Sequence, residues 1–103
     1  LEVDERHGPA WDTYGMLMYR RGDYEEALRS VHRALDFMPD NPEIEFHLAQ
    51  IYEQRGEYRK AMDILDELLL HPSYFSLSVY DNVRLTANRV RQKLESAGQR
   101  QTE

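Results

Sequence analysis

The chain of 103 residues has room for one small core, and its 13 basic and 19 acidic side chains give a formal net charge of −6. Charged residues make up 31% of it and only five Gly and four Pro interrupt it, the composition of a folded, helix-rich protein and not of a disordered one. The absence of cysteine excludes disulfides and thiolate metal sites, and no apolar run approaches the roughly 20 residues of a membrane-spanning helix.

Residues 9–21 read as the first helix, with Ala10, Tyr14, Leu17 and Met18 on one face, Pro9 suited to the first turn and Gly22 as the stop. A second helix follows at once: Asp23 is its N-cap, Glu26 stands in capping-box spacing, and Ala27, Leu28, Val31, Ala34 and Leu35 form its stripe as far as Phe37. The segment MPDNP, 38–42, breaks the chain. A third helix over about 42–55 carries Ile44, Leu48, Ile51 and Tyr52 and stops at Gly56; a fourth over about 58–70 carries Ala61, Ile64, Leu65 and Leu68 and ends before Pro72. Beyond it, Leu77, Tyr80, Val83, Ala87, Val90, Leu94 and Ala97 alternate steps of three and four, which predicts one long amphipathic helix over about 76–97.

The stretch RRGDYEEAL at 20–28 returns in outline as QRGEYRKAM at 54–62, an offset of 34 residues that aligns Arg21 with Arg55, Gly22 with Gly56, Tyr24 with Tyr58 and Ala27 with Ala61. Together with Trp11, Tyr14, Gly15, Met18, Val31, Ala34 and Pro39, this spacing resembles the tetratricopeptide repeat. The second unit fits less tightly: Glu45 takes the Trp place, Leu48 and Ala49 the Leu-Gly pair, and Pro72 comes one residue early. The resemblance implies an all-α, right-handed α-solenoid of two helix-turn-helix units, 9–41 and 42–75, followed by a long C-terminal capping helix, 76–98, and a flexible tail, 99–103. Residues 1–8 align with the end of the first unit and read as the remnant of a preceding repeat, as in a piece of a longer protein.

In such a fold Gly15, Ala49, Ala27 and Ala61 let paired helices approach, and Trp11, Tyr14, Tyr24, Tyr52 and Tyr58 fill the spaces between hairpins. The concave face is lined by the first helix of each pair. Carried over place by place, the resemblance puts Asp12, Met16, Tyr19 and Arg20 there from the first unit and Phe46, His47, Gln50, Glu53 and Gln54 from the second, with Tyr80 and Arg84 of the cap closing it. Tyr19, Phe46 and Tyr80 are expected to face one another, a lining suited to a peptide or helix of a partner protein. The basic two-carboxylate clamp of some family members is missing, since the matching places hold Asp12, Met16, Phe46 and Gln50.

Other functions find little support. Residues 1–83 carry 8 basic and 17 acidic side chains, and among the five basic residues after them Arg84, Arg89, Arg91 and Lys93 are scattered around a helix and form no stripe for nucleic acid. His7, His32, His47 and His71 are far apart and no catalytic or metal motif appears, so neither catalysis nor a cofactor is expected; Glu43 and His47, four apart, read as a surface ion pair. The sequence favours a cytoplasmic setting, with a periplasmic or membrane-associated parent chain left open. Two functions stand: an interaction module acting through its concave groove, or a spacer that self-associates, as a homodimer, through the N-terminal repeat edge around Val3 and Ala10.

Overall fold

The computed structural model describes the backbone of residues 7–102 and the side chains of residues 7–98. Most of the expected remnant 1–8, including the Val3 edge, and the side chains of the expected tail therefore lie outside the described residues. Among the described residues five α-helices follow one another: α1, Gly8–Arg20; α2, Tyr24–Phe37; α3, Pro42–Gln54; α4, Tyr58–Leu69; and α5, Leu77–Thr102, with a short 3-10 turn at Pro72–Tyr74. No strand occurs among the described residues, and the architecture is an all-α helical-repeat solenoid.

The twin phrases build twin hinges. Gly22 has φ +82° and Gly56 φ +78°, the left-handed region that glycine enters without strain. At the first hinge the Gly22 amide donates to the Tyr19 carbonyl at 3.0 Å and the Asp23 amide to the Met18 carbonyl at 2.9 Å; at the second, Gly56 donates to Glu53 at 3.1 Å and Glu57 to Tyr52 at 2.9 Å. These paired bonds form a Schellman motif, which satisfies carbonyls that the end of a helix otherwise leaves bare. Asp23 closes α1 and starts α2, its carboxylate accepting from the Glu26 amide at 3.2 Å. Asn41 caps α3 likewise, accepting from Ile44 at 3.1 Å, and His7 caps α1 through Nδ1, 2.9 Å from the Ala10 amide.

Packing follows from what stands at each helix crossing. A Cβ placed on Gly15 would meet Val31 Cγ2 at 2.7 Å and the Ala27 carbonyl at 3.3 Å, so α1 and α2 are as close as their backbones allow. Ala49 and Ala61, neither exposed at all, serve the same purpose between α3 and α4. The core runs along the stack in two joined clusters. Met18, Ala27, Val31 and Ala34 meet Ile44, Leu48 and Ile51; Phe46, Ala49, Ala61, Met62, Leu65 and Leu68 meet Val83, Ala87 and Val90 of α5; Tyr52 and Ile64 touch both. Trp11 packs at the margin of the first cluster with the Arg33 guanidinium 5.9 Å from its ring centre.

Leu77 departs from the expected stripe of α5, being 87% exposed. It occupies the first position of the helix, before the segment that packs on α4, and Phe75 takes a place against the core just ahead of it. Gly15→Val is expected to lower stability by about 1–3 kcal/mol, because Val31 is fully buried and cannot give way. Gly98→Ala, with nothing within 4 Å of the new methyl, should leave stability unchanged or raise it by up to about 1 kcal/mol. Urea denaturation of the two variants checks both values.

Candidate functional site

The first helix of each hairpin and the start of α5 enclose a cleft of about 400 Å³, lined by Met16, Tyr19 and Arg20 of α1, Glu43, Phe46, His47 and Gln50 of α3, and Val79 and Asn82 of α5. Six of the positions expected on the concave face therefore meet around one cavity. Their roles differ from a uniform wall of contacts. Phe46 is only 5% exposed and belongs to the second core cluster, so it forms a floor and offers little surface.

Asp12 is engaged from within. Its carboxylate oxygens lie 2.8 and 3.0 Å from His47 Nδ1, a pair that ties α1 to α3 across the repeat. A carboxylate only accepts, so Nδ1 carries a proton and donates. His47 therefore pairs with Asp12 rather than with Glu43, because the neighbouring hairpin brings a carboxylate closer than its own helix does. Tyr19 packs against Tyr24 with ring centres 5.8 Å apart and planes tilted by 57°, and Gln54 sits exposed beside its hydroxyl. Burial first, and then the charge of Glu53, push the Tyr19 phenol above its ordinary value, so it stays neutral.

Of the five expected positions that do not line the cleft, Asp12 and Gln54 adjoin His47 and Tyr19, and three lie elsewhere. The Tyr80 hydroxyl donates to the Leu69 carbonyl at 3.0 Å, closing the end of α4, and Arg84 is exposed and paired with Asp81 at 3.2 Å. The ring of facing aromatics is thus absent: Tyr19 turns to Tyr24, Phe46 to the core and Tyr80 to α4. Glu53 is the third. Its side chain is 1% exposed and it accepts from Arg89 Nε at 2.6 Å, Arg89 Nη2 at 2.9 Å and Lys93 Nζ at 3.0 Å, joining α3 to α5. Burial alone raises the pKa of this carboxyl, but hydrogen bonds and charges from Arg89 and Lys93 outweigh it and leave it below the ordinary 4.5.

Glu43, Val79 and Asn82 line the cleft without having been singled out for it. Glu43 stands one turn before His47, so spacing pointed to its face, whereas Val79 and Asn82 depend on the rotation of α5, which no Gly or Pro in 76–97 marks. The four histidines are dispersed: His7 caps α1, His32 lies 3.3 Å from the Tyr52 hydroxyl, and His71 stacks on Tyr74 at 4.6 Å. Among the described residues no cluster of three acidic or His side chains is arranged to hold a metal, and no helix is long and apolar enough to cross a membrane.

The profile of the tetratricopeptide repeat matches residues 18–72. The chain is 34% identical over 73 residues to cellulose synthase operon protein C of Pseudomonas fluorescens, an alignment covering 71% of this chain and 6% of that protein. It is 32% identical over 66 residues to anaphase-promoting complex subunit 3 of Schizosaccharomyces pombe, covering 64% of this chain and 10% of the relative. It is 30% identical over 66 residues to the BBSome complex member BBS4 of Bos taurus, covering 64% and 13%. The chain thus spans 6–13% of the length of these curated relatives.

Glu53→Ala is expected to cost about 1–3 kcal/mol at neutral pH, toward the low end for a buried pair because Arg89 and Lys93 remain partly in water. A carboxyl whose folded pKa is depressed stabilises the fold above the unfolded value and loses that contribution as pH falls through the folded value. The stability gap between wild type and Glu53→Ala should therefore narrow below about pH 4, as denaturation at a series of pH values will show.

Proposed function

Because the chain belongs to the tetratricopeptide repeat family, we propose that it is a non-catalytic interaction module whose concave cleft receives an extended segment or a helix of a partner protein. The supporting observation is a set of polar groups left over by the fold. Arg20, Glu43, Gln50 and Asn82 all line the cleft, and none of their side chains has a hydrogen bond or ion pair among the described residues. A cation, an anion and two side-chain amides arranged over the apolar floor of Phe46 can bond a peptide's backbone and side chains while Met16 and Val79 supply contact area. Two of the relatives bear the names of complex members, which agrees with a role in assembly.

A spacer that self-associates is the second reading, favoured by Leu17, 42% exposed, and Phe37, 40% exposed, on the first hairpin. Sedimentation over a concentration range separates the two, since self-association is expected only of the spacer. For the module, Arg20→Ala and Gln50→Ala should leave melting within about 0.5 kcal/mol of wild type, being surface changes. Both should abolish crosslinking to a partner or to selected peptides; retention of binding in both variants would place the interaction elsewhere. Phe46→Ala is unsuited to this test and should cost about 3–5 kcal/mol, the loss of a buried aromatic.

A further inference from the structure

A second cleft, sharing no lining residue with the concave one, opens between the start of α4 and the C-terminal half of α5. It has a volume of about 390 Å³ and is lined by Tyr58, Arg89, Gln92, Lys93, Ser96 and Ala97. Its charge does not balance. Arg89 and Lys93 both spend themselves on one carboxylate, that of Glu53, which is 1% exposed, while the two cations remain 51% and 39% exposed. Two positive charges set against one negative charge leave a net positive cleft. Glu57, at the adjoining end of α4, is drawn onto Arg55 at 3.3 Å and Lys60 at 3.2 Å.

The donors fit the same conclusion. An Arg has five N–H donors and a Lys three. Glu53 takes two from Arg89 and one from Lys93, and the rest have no partner among the described residues. Gln92 and Ser96, one turn apart on α5 and exposed, also have no internal partner. Lys93 is held over the Tyr58 ring at 5.7 Å, so its position is set before a ligand arrives.

We infer that this cleft is a binding site for a carboxylate side chain, Asp or Glu, carried by an acidic segment of a partner protein. The incoming carboxylate would take the free donors of Arg89 and Lys93 with Gln92 and Ser96 at its flanks, making charge-assisted hydrogen bonds without disturbing Glu53.

The probes are acetyl-Glu-Asp-Glu-amide and its neutral counterpart acetyl-Gln-Asn-Gln-amide, titrated into the isotopically labelled 103-residue chain. Saturating shifts of the Gln92 and Ser96 backbone amides are expected with the acidic peptide alone, weakened by about 0.5 M salt. Ser96→Glu sets a like charge in the cleft one turn from Lys93, removes no member of the Glu53 network, and should weaken binding about tenfold or more, with an unchanged circular dichroism spectrum showing that the variant is folded. Arg20→Ala, in the concave cleft, should leave the titration unchanged. Absence of saturation, equal shifts with the neutral peptide, or indifference to Ser96→Glu overturns the inference. Loss of binding in Arg20→Ala also overturns it, by assigning the acidic peptide to the concave cleft.

Discussion

Everything in this stack is referred to the distance between two paired helices, and that distance is limited by the side chain at the crossing. Helices commonly pack about 8–10 Å apart, the near end of which requires a very small residue at the contact. At Gly15 even a methyl group would strike Val31 Cγ2, and in the second hairpin the contact is made by Ala49 and Ala61. With α1 seated this closely on α2, the buried face of α2 stands free to meet Ile44, Leu48 and Ile51 of the next hairpin. The same seating brings Asp12 of α1 within hydrogen-bonding distance of His47 on α3. The width of the concave cleft is therefore a consequence of small residues on the far side of the helices that line it.

The capping helix is held by two kinds of contact that do different work. Val83, Ala87 and Val90 bury apolar area against α4, and such a stripe tolerates small slides because dispersion and hydrophobic burial are non-directional. On the α3 side, the Glu53 carboxylate takes a fork of two bonds from Arg89 and one from Lys93, and a fork is geometrically demanding. The net stability of a buried ion pair is small once desolvation is counted. Its value here lies in rotation: it orients α5 so that Val79 and Asn82 face the concave cleft while Gln92 and Ser96 face the other one.

Much of the scaffold was legible in one dimension because its signals are local. A glycine that follows an amphipathic run, an acidic or amide residue that precedes the next, and a 34-residue recurrence of both locate the hinges within a residue or two. Gly22, Asp23 and Gly56 behave as those rules say. The site was less legible. Phe46 occupies a groove position by its place in the repeat, yet α5 packs over the cluster it belongs to and leaves it 5% exposed. Place in the repeat points Tyr80 and Arg84 at the groove, but their helix carries no punctuation, and its rotation puts Val79 and Asn82 there instead.

By itself the sequence determined the repeat, its hinges, the small residues at the crossings and the helical class, since each depends on neighbours within a turn or on a strict period. Only the tertiary structure decided which polar groups are consumed within the fold and which are left over. Asp12 and His47 lie 35 residues apart, and Glu53 lies 36 and 40 residues from Arg89 and Lys93. Pairing at such separations is a competition among many possible partners, resolved when packing sets the distances. Among the described residues the side chains of Arg20, Glu43, Gln50 and Asn82 are left without a partner, an outcome that belongs to the packing of the helices together and to no segment of it.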